Sequence, residues 1–397
     1  MLINLPCRPD RRRDIRSRAR LLLLGATLAL GGSPASSFTL EESGEWVVSC
    51  ENTAACSLVN ASQLTQLRVA QPSPFGMSRV CINRRAGPHA TAQVFVTLRN
   101  RPVMHPAASR EARSLRVFGA NFSQSDIPML HRGAEHWEVP ARAVAGFLTS
   151  IGDASRLHVI GPEGAVVEHL SLHGIDRALA VIDRAQERAG TVTALREKGS
   201  RPASSVLAEN RPEALVTAPL AVLAAPHQPS AAALRLRHAT CGAPGLDATT
   251  GYRLLGDQRR PDRILWVTPC DSREGMPRSF FVIQQENGAA APVAFPGNQP
   301  ERPSGQQGLL TFPQFDAGTG QVREMWREPV VPAPGKACII QRLWGWNGEA
   351  FELAEERRSL TCAGLVTGYS PRTFTRDVIM PATSGLAPAA EAFRPPC

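Results

Sequence analysis

The chain has 397 residues, with 44 Lys and Arg against 35 Asp and Glu, for a formal net charge of +9 at pH 7. That length allows two domains. Arg8, Arg11, Arg12, Arg13, Arg16, Arg18 and Arg20, set against Asp10 and Asp14, give the first segment +5 and leave +4 for the rest. Lys198 and Lys336 are the only lysines, so the wealth of Arg, Ala and Pro reads as codon composition. No basic stripe follows residue 37, and a nucleic-acid partner is not expected.

The basic start runs into the apolar stretch LLLLGATLAL and the small residues GGSPASS, a secretory signal over residues 1–37 that ends at Ala35 or Ser37. The apolar run is too short to span a bilayer, which takes roughly 20 residues, and no later stretch approaches that length. A lipoprotein anchor would need a cysteine that is missing after the run. RRRDIR matches a twin-arginine signal poorly, so general secretion to the periplasm or beyond is expected, with no transmembrane span.

Residues 38–200 read as an α+β domain. Strands are predicted at Glu45 to Cys50, Ser114 to Gly119, Arg156 to Ile160 and Val166 to Leu172. SRVCINRRAGPHATAQVFVTLRN is a hairpin: Val80 and Ile82 alternate, Gly87 and Pro88 turn the chain, and Val94, Val96 and Leu98 return. In PARAVAGFLTSIG, Pro140 suits a first turn and Ala141, Val144, Ala145 and Leu148 recur at helical spacing up to Gly152. The same spacing puts Ile175, Ala178, Leu179 and Ile182 on a second helix that stops at Gly190. A short third helix is predicted from Val192 to Lys198, with Thr191 as its cap and Gly199 as its stop.

A Pro/Ala-rich linker follows over residues 201–234. Beyond it, residues 235–380 read as a mainly β domain: DRILWVTPC, SFFVIQQENG and RLWGWNGEAFELAEERRSLTC are strands, the last a hairpin whose Asn347-Gly348 supplies positive φ angles. Residues 381–397 form a flexible tail. The fold class is therefore α+β, a β-rich first domain with two or three helices followed by a mainly β second domain, stapled by disulfides.

Without Cys7, the mature chain keeps Cys50, Cys56, Cys81, Cys241, Cys270, Cys338, Cys362 and Cys397. In an oxidising compartment such thiols pair. About 105 connectivities exist for eight cysteines; the economical one joins Cys50 to Cys56, Cys241 to Cys270 and Cys338 to Cys362, each bridge worth about 2 to 4 kcal/mol. Cys81, inside a strand pattern, is then a free buried thiol and Cys397 a tail cysteine. The Cys50–Cys56 spacing lacks the second pair or histidines of a metal site, and the two-residue spacing of a thioredoxin-like one.

SLHGIDRALAVIDRAQERAGTVTALREKG, followed by CGAP, LWVTPC, FDAGTGQV and WGWNGEAFELAEERRSLTCAGL, resembles a family of secreted bacterial proteins termed domain of unknown function 1176. The resemblance runs from Trp46 and Cys50 to about Arg376. Its most specific stretch holds Asp183, Gln186, Arg188, Gly190, Thr191, Ala194, Leu195 and Gly199. It implies export and paired cysteines but no activity. The N-terminal half is also similar to invasion-associated locus B proteins, in a Trp-x-x-x-Cys opening and in the joint at Ser171, Leu172 and Gly174. Near its end the chain departs from the family: Cys362, Ala363 and Gly364 replace a Cys-Arg-Gly, and Tyr369, Ser370, Pro371, Phe374 and Arg376 follow where a Trp-Pro is usual.

His131, His136, His158, His169 and His173 share one stretch without ligand spacing and read as scattered histidines. No Gly-x-Ser-x-Gly elbow, His-Glu-x-x-His helix or phosphate loop occurs, so nothing argues for an enzyme, although triads assemble from distant residues. No cofactor is expected. Asp183 and Arg188 are candidate binding residues, with a structural role preferred because an arginine in a last turn complements the helix dipole. Gly190 and Gly199 read as helix caps. Trp344 and Trp346, two apart on a strand, share a face: exposed they would form a platform for a sugar or partner, buried they are core. The expected function is an exported envelope protein, a non-catalytic binding or structural module for an envelope polysaccharide or protein. The alternative is a hydrolase on an envelope substrate, with its site between the domains.

Overall fold

A computed structural model describes residues 38–60, 79–97, 114–119, 126–133, 136–152, 154–161, 164–223, 227–242, 249–254, 263–273, 276–297, 307–329, 337–358 and 372–380. The leader, the tail, Leu98, Cys362 and Cys397 lie outside them.

Five strands come first: β1 (Thr39–Ser43), β2 (Trp46–Cys50), β3 (Cys56–Asn60), β4 (Arg79–Arg84) and β5 (Ala92–Thr97). Then follow β6 (Ser114–Gly119), β7 (Asp126–Pro128), β8 (Leu130–His131), β9 (His136–Glu138), helix α1 (Ala141–Ser150), β10 (Ala154–Ile160), β11 (Val166–Ser171) and helix α2 (Ile175–Ala185). They build a seven-stranded sheet, β1-β2-β3-β4-β5-β9-β8, and a four-stranded one, β11-β10-β6-β7. Because side chains alternate along a strand, Val48, Leu58, Ile82 and Val94 stand in one cross-strand row. That row shares one core with Leu115 and Leu157 of the smaller sheet and with both helices. The predicted hairpin is β4–β5, with Val80 opposite Val96.

Helix α2 buries Ile175, Ala178, Leu179 and Ile182 as their spacing implies. Helix α1 follows Pro140, yet its inward stripe is Val144, Phe147, Leu148 and then Ile151, with Ala141 and Ala145 exposed. Phe147 decides this, since its ring removes far more apolar surface from water than two alanines do. Gly190 does not stop α2: the helix ends at Ala185, and Glu187 takes the left-handed turn with φ 57°. The third helix is absent, and residues 192–198 are turns and bends. Their N–H groups at Leu195, Arg196 and Glu197 go to the Asp183 carboxylate, which displaces helical bonding. Gly199 is required not as a cap but because a Cβ there would collide with the Gly190 carbonyl.

After a 3-10 turn (Ala203–Ser205) come β12 (Ala214–Val216), β13 (Leu220–Val222), helix α3 (Ala231–Cys241), β14 (Thr250–Leu254), β15 (Arg263–Arg273), β16 (Met276–Gln284) and β17 (Ala290–Pro292). The last strands are β18 (Leu309–Thr311), β19 (Gln314–Asp316), β20 (Gln321–Pro329), β21 (Ala337–Trp346), β22 (Phe351–Arg358), β23 (Arg372–Thr375) and β24 (Asp377–Ile379). One sheet runs β13-β14-β15-β16-β17 with β18 on β16, and the other β19-β20-β21-β22-β23. Leu265 and Phe281 of the first share a core with Val322, Trp344 and Phe351 of the second. On the other face of the first sheet, Ala233 and Cys241 of α3 pack on Trp266, Phe280 and Val282. The fold is thus α+β and β-rich, with three helices among the described residues.

The Pro/Ala-rich stretch is not featureless. β12 pairs in parallel with β24, the Ala218 N–H donates to the Trp346 carbonyl at 2.7 Å and the Leu220 N–H to the Ala317 carbonyl at 2.7 Å. These are backbone bonds of three-residue strands, which composition does not report. The β21–β22 hairpin forms around Asn347-Gly348, but only Gly348 has a positive φ, 95°. Asn347 instead accepts N–H bonds from Glu349 and Ala350 through its side chain, both at 2.8 Å.

Cys50 bonds Cys56 and Cys241 bonds Cys270. Cys81 is fully buried but disulfide-bonded, so the free thiol expected from nearest-neighbour pairing is corrected. The pairing of Cys338 with Cys362 lies outside the described residues.

On β22, Glu356 is fully buried beside Arg342 and Arg358, whose Nε atoms donate to it at 2.8 and 2.7 Å. Burial is the largest single influence and pushes its carboxyl up, but bonds from Arg358 and Arg342 together outweigh it and hold the carboxyl below the usual range. A depressed carboxyl contributes stability that is present above its unfolded pKa, about 4.3, and is lost as pH falls through the lower folded value. Glu356→Gln should therefore lower stability at pH 7 by about 3 to 5 kcal/mol and flatten the acid limb of urea stability plotted against pH. An unchanged acid limb would refute this role.

Candidate functional site

The turn between β2 and β3 is closed by the Cys50–Cys56 bond, in line with their register as directly opposed residues. Within it the Glu51 N–H donates to the Ala55 carbonyl at 3.0 Å, the Ala54 N–H to the Glu51 carbonyl at 2.8 Å, and Ala54 sits at φ 58°. A turn held this way presents its polar side chains in one geometry. Asn52 uses both ends of its amide on β23: its Nδ2 donates to the Thr375 carbonyl at 3.0 Å and its Oδ1 accepts the Thr375 N–H at 2.8 Å. Glu51 accepts from Arg372 Nε and, at 3.3 Å, from Arg372 Nη2, while Thr53 Oγ1 also donates to it at 2.8 Å. Ser49 Oγ donates to the Arg372 carbonyl at 2.8 Å.

Where β2–β5 meet β22 and β23, a cleft of about 50 Å³ opens. Ser49, Ser57, Asn83 and Gln93 stand in one cross-strand row on the face opposite the core row, and all four line it. Glu51, Arg84, Arg85, Arg357 and Arg372 complete its polar surround. Each arginine has a carboxylate partner: Asp183 at 3.7 Å from Arg84, Glu209 at 4.0 Å from Arg85, Glu355 at 2.7 Å from Arg357, and Glu51 on Arg372. Asn83 differs: it is 4% exposed and neither its Nδ2 nor its Oδ1 has a hydrogen-bond partner. Burial, and secondarily Arg188, lowers the Arg84 guanidinium to about 10, against the pull of Asp183. It stays charged at neutral pH.

Asp183 and Arg188 come together in a buried network behind this cleft and do not line it. The Asp183 carboxylate accepts the N–H groups of Leu195, Arg196 and Glu197 at 2.7, 2.7 and 3.0 Å. Arg188 donates to the Gly87 carbonyl and, at 2.9 Å, to Thr193 Oγ1. Gln186 Nε2 reaches the carbonyls of Ala54, Arg84 and Arg85 at 2.9, 3.0 and 3.2 Å. Burial lowers the Arg188 guanidinium, opposed by Asp183. Through these bonds the three residues hold the stapled turn, the end of β4 and the 190–201 loop to one helix.

Trp344 and Trp346 do share a face, and it is the inner one: they are 1% and 0% exposed. Trp344 donates from its indole to the Pro296 carbonyl at 2.6 Å and packs at a tilt against Phe295, and Trp346 packs on Phe351 under the Arg263 guanidinium. Neither offers a ring to solvent, so the platform reading gives way to core. Of the histidines, His158 and His169 are directly opposed across β10 and β11 with rings 4.4 Å apart, a meeting that spacing alone did not reveal. Burial, then His169, Arg156 and Arg116, push the His158 imidazole below its ordinary value. No cluster of three or more metal-ligating side chains occurs among the described residues.

Sequence reading passed over Glu51, Asn52, Asn83, Arg84, Arg357 and Arg372. A signal existed, since Ser49, Ser57, Asn83 and Gln93 are the polar positions of alternating strands, but alternation alone assigns such positions to solvent.

With this geometry in view, the chain matches the model of a family described as protein of unknown function (DUF1176) over residues 41–376, and it belongs to that family. No curated protein and no solved structure matches it.

Asp183→Ala would strand three partly buried N–H groups and leave the buried Arg84 without its counter-charge. A loss of about 3 to 5 kcal/mol in urea unfolding is expected; a loss below about 1 kcal/mol would contradict the buried network.

Proposed function

With membership of a family without an assigned activity as the premise, we propose that the protein is an exported, non-catalytic module that binds an envelope polymer at the cleft between β2–β5 and β22–β23. The leader-like start and the bonded cysteines suit an oxidising compartment outside the cytoplasm. No helix of the described residues is long and apolar enough to cross a membrane.

The observation that carries the reading is the division of labour in the cleft. Glu51, the one carboxylate among its lining residues, is engaged by Arg372 and Thr53 and is poorly placed to take a proton from a substrate. Asn83, buried at the cleft wall, has no partner for either atom of its amide. A cleft whose charged groups are locked in ion pairs fits recognition better than bond cleavage.

The test is co-sedimentation of the oxidised, leader-free protein with purified cell-wall sacculi. Saturable binding that weakens on reduction is expected. Protein that stays in solution would overturn the proposal and turn attention to a protein partner, and soluble fragments released with time would establish a hydrolase instead.

A further inference from the structure

Among the described residues, four arginines and one glutamate line the cleft between β2–β5 and β22–β23: Arg84, Arg85, Arg357 and Arg372 against Glu51. Three of the carboxylates that pair with these arginines, Asp183, Glu209 and Glu355, stand outside its lining. A group entering the cleft therefore meets guanidinium charge at closer range than the carboxylate charge that compensates it, and the interaction falls off with distance. Glu51 does not reverse the sign, because its carboxylate already accepts from Arg372 and Thr53. Two of the arginines are open to solvent and loosely held. The Arg85 side chain is 62% exposed with Glu209 4.0 Å away, and that of Arg357 is 35% exposed on Glu355. Ion pairs this wet are worth about 0 to 1 kcal/mol, so an incoming anion can share or replace the carboxylate. The other two are fixed: buried Arg84 by the Thr193 carbonyl at 2.7 Å and Asp183 at 3.7 Å, and Arg372 by Glu51.

We infer that the cleft binds an oxyanion carried by the polymer, with the Arg85 and Arg357 guanidiniums as its contacts and Arg84 and Arg372 as fixed positive charge behind it. The inference deepens the binding reading proposed above and rests on it. A cation would face four guanidiniums, and a neutral group would gain nothing from them. The cleft holds about 50 Å³, room for one small charged group and too little for a sugar ring. The guanidinium fork matches the paired oxygens of a carboxylate and of a phosphate equally. Two sources carry this chemistry, the carboxylate of a peptide or acidic sugar and a phosphate.

The experiment is a titration of the oxidised, leader-free protein at low salt, read through the arginine Nε–H resonances. The probes are N-acetylalanine, its neutral counterpart N-acetylalaninamide, and inorganic phosphate. A saturable shift with N-acetylalanine or phosphate is expected and identifies the source; N-acetylalaninamide should bind at least about tenfold more weakly, since it forms no charge-assisted bond. Raising NaCl from about 50 to about 300 mM should weaken the anion severalfold, because these arginines are reached by solvent. Arg85→Gln and Arg357→Gln should each cost at least about tenfold in affinity, the loss of a hydrogen bond to a charged group, while the melting temperature stays unchanged, because exposed ion pairs add little stability. The inference is overturned if neither anion shifts a resonance, if N-acetylalaninamide binds as well, or if either variant keeps its affinity. Sacculus binding that persists in the Arg85→Gln, Arg357→Gln double variant would defeat the oxyanion reading and leave the binding module standing.

Discussion

The bond between Cys50 and Cys56 fixes a turn on which two distant parts of the chain converge. Glu51 and Asn52 reach forward to Arg372 and Thr375 of β23, more than three hundred residues along the sequence. The Ala54 carbonyl is held from behind by Gln186, just past α2. A free turn would sample many conformers and each of these bonds would bear that entropy cost, of order 1 to 2 kcal/mol per residue. Closing it in the unfolded chain removes part of that cost beforehand, so bonds worth about 1 kcal/mol apiece suffice to hold the junction.

The segment following α2 completes the arrangement from the other side. Asp183 gathers a loop that would otherwise read as helix, and Gln186 and Arg188 pass the constraint to the end of β4 and to Gly87. Arg84 belongs to both systems, bonded to the Thr193 carbonyl at 2.7 Å and lining the cleft although buried. The cleft's shape thus depends on a buried network that reaches it only through Arg84. Asp183, Gln186 and Arg188 are thus inward residues that support the cleft, while polar positions of alternating strands line it.

Much of the fold was legible in the residues. Period-two alternation placed β2, β4, β5, β6 and β10, and the Ile175, Ala178, Leu179, Ile182 spacing oriented α2, because burial of apolar surface leaves a local imprint. The misses have long-range causes. Residues 192–198 favour a helix in isolation, and a carboxylate twelve to fourteen positions earlier takes their N–H groups. Helix α3 begins at the end of the Pro/Ala-rich stretch, whose composition masks its start although Ser230 caps it by accepting the Ala233 N–H. Trp344 and Trp346 were placed on one face correctly, but which face is set by the partner sheet. The cleft was least legible of all, since Asn83 and Arg372 are brought together by the docking of β23 on a turn far away in sequence.

The most direct measurement is amide hydrogen exchange at Thr375, whose N–H is bonded to the Asn52 side chain at 2.8 Å. Oxidised protein would be compared with a Cys50→Ser, Cys56→Ser double variant under native conditions. If the stapled turn holds the junction, Thr375 exchanges at least about tenfold faster in the variant while core amides of β15 and β16 keep their protection. Unchanged protection at Thr375 would mean that β23 docks without the staple, and the account would fail.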